Sequence, residues 1–86
     1  MEPRSEFGMS LEKVASRFVI DHDRSGNMLV LRTPPGHAGV VAAALDREGV
    51  SGVLGCIAGD DTVFVCIAEK TKHKEVLESI GLKQSA

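Results

Sequence analysis

The apolar positions of this chain fall into short runs separated by turn-forming residues, and the period of each run predicts its element. Phe18 to His22 is β-branched and aromatic, and Asp23 to Asn27 ends it, so it reads as a strand. Met28 to Thr33 reads as a second strand, joined to the first as a hairpin through the loop that holds Gly26. Pro34 and Pro35 have no amide hydrogen to give to a ladder, so they stop it and open the next element. From Gly36 to Gly49 the chain reads as a helix, with Ala38, Val41, Ala42 and Leu45 in one stripe and Gly49 just past its end. Val40, Ala43 and Ala44 make the opposite side apolar as well, so this helix needs cover on both sides.

Leu54 to Val65 is the stretch around which the rest is organised. Its apolar runs flank the polar break Gly59-Asp60-Asp61-Thr62, the pattern of a tight hairpin. In the strand after the break, Val63, Val65 and Ile67 share one face, and Thr62, Phe64, Cys66 and Ala68 share the other. Apolar and polar residues hardly alternate there, which in an antiparallel sheet implies cover on both faces. The chain's own helices can cover one face; the other is expected to meet further subunits. Glu69 to Ile80 reads as a second, amphipathic helix with Val76, Leu77 and Ile80 inward, and Gly81 stops it. Leu11 to Arg17 forms a short helical lead-in with Ser10 as its N-cap. The fold class is α+β, in two layers. A four-stranded antiparallel sheet carries two helices on one face, in the order β-β-α-β-β-α, and oligomerises through the other face.

Length and charge narrow the function. The 86 residues make one domain, 11–86, behind a stretch 1–10 without periodicity that reads as a tag or linker remnant. A formal net charge of -2 gives no basic footprint for nucleic acid. No apolar run reaches the length of a membrane span, and 2 Cys without a secretion signal point to a reducing cytoplasm. A domain this small leans on partners for stability, which agrees with the two-faced sheet.

The candidate chemistry lies in carboxylates. Asp60 and Asp61 sit side by side at the hairpin tip, where adjacent side chains diverge, and suit a cation, either a metal or a guanidinium. The plainer reading is that they solvate a turn. Asp46 stands near the C-terminal end of its helix, against the local dipole, which invites a functional reading beside that of a surface Asp paired with Arg47. His22, His37 and His73 lack zinc-ligand spacing, and no metal site is expected. With Asp60 and Asp61 as turn residues, Cys56 faces Val65 and Cys66 lies on the opposite face, which excludes a bridge between them. Thr33-Pro34-Pro35-Gly36 before a helix offers an N-terminus for a small carboxylate, without the glycine spacing of a nucleotide loop.

LRTPPGHA, an Ala-rich helix ending LDREG, and GCIAGDDTVFV together resemble the C-terminal domain of bacterial arginine repressors, from about Phe18 to Leu82. The resemblance implies no catalysis and no cofactor. It implies trimers that L-arginine, as effector, stabilises as a hexamer of two stacked trimers. It also implies that operator DNA is met by a separate N-terminal winged helix-turn-helix domain, absent from this chain. By position, Asp46, Asp60 and Asp61 match the arginine-binding aspartates, with one of the pair reaching across the trimer interface. His37, Gly39, Cys56, Ala58 and Thr62 fall beside them as pocket neighbours. A carboxylate accepting two parallel guanidinium hydrogens fits that chemistry. Gly39 stands where many members have Gln, and Cys56 where they have Thr, so arginine affinity or selectivity is expected to differ; His37 is a candidate to compensate. Two rival readings go with this one. One is a structural trimerisation module that has lost its ligand. The other is a small protein holding a divalent cation on Asp46, Asp60 and Asp61.

Overall fold

A computed structural model describes residues 9–82. The chain runs α1 (Leu11–Phe18), β1 (Asp21–Ser25), β2 (Met28–Arg32), α2 (Ala38–Glu48), β3 (Val53–Ala58), β4 (Thr62–Ile67) and α3 (His73–Ile80). The strands form one antiparallel sheet in the order β1-β2-β4-β3. The expected β-β-α-β-β-α architecture is found, with α1 as the lead-in. Of the tag reading for 1–10, residues 1–8 lie outside the described residues, as do 83–86. Met9 packs against the core, and the Ser10 side chain accepts the amide hydrogen of Lys13 at 3.3 Å to cap α1.

Four boundaries differ from the sequence reading, each for a local reason. Phe18 ends α1 rather than opening a strand, because the Val19 amide bonds back to the Ala15 carbonyl at 2.9 Å. The first strand therefore lies over Asp21–Ser25, further along than expected. The second helix begins at Ala38, not Gly36: Pro34 to His37 is a turn closed by His37 N–H to the Pro34 carbonyl at 3.1 Å, with Gly36 at φ 82. That φ lies outside the helical region and favours glycine. The third helix begins at His73 because Thr71 N–H closes a turn onto the Ala68 carbonyl at 2.9 Å. Ala44 belongs to the buried stripe with Ala38, Val41 and Leu45, while Ala42 is half-buried. The reason is α1, which packs along α2 and buries Leu11, Val14 and Ala15 in the same core. Both C-terminal stops behave as expected, with Gly49 at φ 65 and Gly81 at φ 90 in left-handed caps.

The helices cover one face of the sheet. Leu29 and Leu31 of β2 and Val63, Val65 and Ile67 of β4 are buried on it, in one core cluster with Ala38, Val41 and Leu45 of α2 and Val76, Leu77 and Ile80 of α3. The opposite face presents the row Asp23, Val30, Phe64 and Ile57 across all four strands. Ile57 is 76% exposed, Leu54 71% and Phe64 52%, so this apolar face is bare in the single chain. Gly26 at φ 56 opens the two-residue loop between β1 and β2, and its carbonyl lies 2.6 Å from His73 Nε2. Along the outer strand β1, the Asp21 carboxylate accepts the amide hydrogen of His22, and the Asp23 carboxylate that of Arg24, each at 2.9 Å.

Candidate functional site

The hairpin tip is built as its sequence suggests. Gly59 N–H donates to the Thr62 carbonyl at 2.7 Å, which leaves Asp60 and Asp61 as the loop residues. Both are exposed. Their main-chain carbonyls are tied down elsewhere. Asp61 accepts the buried Thr33's amide hydrogen at 2.8 Å, and Asp60 accepts those of Gly36 at 3.0 Å and Ala38 at 3.4 Å. The Asp60 carbonyl thus occupies the N-terminus of α2, where unpaired amides would otherwise point outward. The Asp61 carboxylate accepts the Thr62 hydroxyl hydrogen at 2.9 Å. The two exposed carboxylates stand on a backbone held from two directions.

His37 is the N-cap residue of α2, without a side-chain capping bond. Its ring stacks on Phe18 with centroids 4.7 Å apart, and Nδ1 lies 3.0 Å from the Pro35 carbonyl. That ring is committed to joining α1 to the turn. Gly39 is exposed in the first turn of α2, and a Cβ added there meets no atom within 4 Å. Ala58 and Thr62 are half-buried where the strands meet the tip.

Asp46 lies at the other end of α2. It follows Ala38 by eight residues, about 12 Å along the helix axis. A single chain therefore does not gather Asp46 with Asp60 and Asp61. Among the described residues no three His, Cys, Asp or Glu side chains are grouped to hold a metal ion. What meets Asp46 is Cys56 of β3. Its Sγ donates to Asp46 Oδ1 at 3.6 Å and lies 3.7 Å from the Ala42 carbonyl. Burial, and then the Asp46 charge and hydrogen bond, push the Cys56 thiol up to about 11. Cys56 pairs with Val65, while Cys66 is exposed on the far face, and both are free thiols. The Asp46–Cys56 contact is absent from the sequence reading. Its one signal there is the helical spacing of Ala42 and Asp46, which puts both on one side of α2.

Two apolar depressions lie on the bare sheet face rather than between the carboxylates. One, of about 440 Å³, is lined by Met28, Gly55, Cys56, Ile57, Phe64 and Cys66; the other runs from Ile57 and Phe64 to Gly59 and Thr62. Asp46, Asp60 and Asp61 are themselves exposed.

A family model described as the arginine repressor C-terminal domain matches residues 15–81 of the 86. The chain belongs to that family. The arginine repressor C-terminal domain is a regulatory domain, not an enzyme, and this chain is accordingly a domain of an arginine-responsive regulator. The match spans α1 from Ala15 to the cap of α3 at Gly81, so it takes in the hairpin tip, α2 and the apolar sheet face together. No helix among the described residues is long and apolar enough to cross a membrane.

Proposed function

We propose that this arginine repressor domain binds L-arginine through Asp46, Asp60 and Asp61 and converts that binding into assembly. The observation that carries the reading is the hairpin tip, where two exposed carboxylates ride on a backbone fastened to Thr33, Gly36 and Ala38. A guanidinium presents a planar fork of donors, and a carboxylate accepts two of them side by side. Because α2 separates Asp46 from the tip within one chain, a ligand that uses all three draws them from more than one subunit. Free energy of ligand binding then becomes free energy of association. The chains associate as trimers through Leu54, Ile57, Phe64 and their neighbours, and arginine stabilises a hexamer of two stacked trimers. Operator DNA is bound by a separate domain.

Calorimetric titration with L-arginine, and with L-lysine as control, tests this reading. Saturable heat from arginine alone, with sedimentation moving from trimer to hexamer, is the expected result. Absence of heat at millimolar arginine from folded protein would overturn it. The domain would then be a structural trimerisation module, a reading favoured by the open space at Gly39, where no side chain reaches toward a ligand.

A further inference from the structure

We infer that Cys56 is the positioning residue for Asp46, its thiol fixing the direction in which that carboxylate meets a cationic ligand. The inference rests on the arginine reading above. Asp46 is exposed near the end of α2, where a free carboxylate would sample several rotamers. The Cys56 thiol meets Oδ1 at 3.6 Å and sits over the Ala42 carbonyl at 3.7 Å, one helical turn before Asp46. Cys56 is half-buried on β3, inside the sheet register, so its own position is set by the Val65 pairing. A fixed donor on a strand thus holds a carboxylate on a helix. It pulls Oδ1 toward β3, the strand that leads through Ala58 to the tip.

The donor is a neutral thiol at physiological pH. Burial and the Asp46 charge both disfavour the thiolate, which would repel the carboxylate it now serves. One thiol hydrogen uses little of a carboxylate's acceptor capacity, so Oδ2 and a second lone pair of Oδ1 stay available for a guanidinium. Serine keeps the donor in nearly the same volume, whereas alanine removes it. That contrast separates positioning from packing.

The test uses the chain with Cys66→Ser, which leaves Cys56 as its one thiol. Two readouts are taken, arginine affinity by calorimetry and the rate of Cys56 alkylation by iodoacetamide at pH 8. Cys56→Ser in place of the thiol is expected to hold affinity within about twofold, and Cys56→Ala to weaken it about fivefold, the scale of one hydrogen bond. Asp46→Asn is expected to speed alkylation several-fold, because the charge that holds back the thiolate is gone. Equal arginine affinity for the Ser and Ala variants and the parent overturns the inference and leaves the arginine reading intact. Alkylation unchanged by Asp46→Asn overturns it as well. A parent that binds no arginine removes the arginine reading instead, and the alkylation rates still decide whether Cys56 and Asp46 are coupled.

Discussion

The main-chain carbonyl of Asp60 accepts the amide hydrogen of Gly36 at 3.0 Å, so backbone, not side chain, fastens the hairpin tip to the start of α2. The exposed carboxylates are therefore dispensable to the fold. Asp60→Ala and Asp61→Ala are expected to change stability by no more than about 0.5 kcal/mol, or ~3 °C in melting temperature. Both are expected to abolish the arginine-induced change in sedimentation. A variant that melts far below the parent would show that the side chains hold the tip.

Gly36 is the other partner in that bond, and its φ of 82 is strained for any residue with a Cβ. Gly36→Ala meets no neighbouring atom, so the penalty is conformational alone. A loss of about 1–2 kcal/mol in urea-denaturation stability is expected. Gly39→Ala serves as the control, because it sits in a helix with open space around it and is expected to be neutral or stabilising.

Adjacent residues of β4 are expected to separate fold from the proposed assembly. Val65 is fully buried against the helices, whereas Phe64 is 52% exposed at the middle of the bare face. Phe64→Glu is expected to keep the circular dichroism of the parent and to sediment as a smaller species. Val65→Glu is expected to unfold the domain, since it places an unpaired charge in the core. Intact trimers from Phe64→Glu would move the interface elsewhere.

The raised Cys56 ionisation gives stability a direction at alkaline pH. In the folded chain the thiol ionises near 11, against 9.0 as the ordinary value. Above 9.0 the unfolded chain loses this proton first, so the native state binds more protons and stability falls as pH rises toward 11. The contribution is complete below 9.0. Urea midpoints measured from pH 8 to 10.5 are expected to fall more steeply for the Cys66→Ser chain than for the same chain carrying Cys56→Ser.

The parts of this fold legible in the sequence are those with one face in the core. Val63, Val65 and Ile67 alternate with Phe64 and Cys66, and the structure buries the first set and bares the second. The glycine stops at Gly49 and Gly81 carry their own conformational reason. Strand β1 was not legible because, at the sheet edge, it buries none of its residues and so has no apolar period to read. The true apolar run before it, through Phe18, belongs to α1. Ala44 was misplaced because its partner is a helix whose docking no local pattern reveals. The carboxylates at the tip were legible as a turn motif. Their separation from Asp46, and the Cys56 contact that Asp46 makes, arise from the alignment of α2 on β3, which is a property of packing.

Strand β1 carries a further consequence. Its charged sequence and the amide hydrogens of His22 and Arg24, already engaged by Asp21 and Asp23, leave it a poor template for strand addition. Sheet growth past that side is blocked while the apolar face beside it stays adhesive. Open-ended edge-to-edge stacking of sheets through β1 is thereby disfavoured.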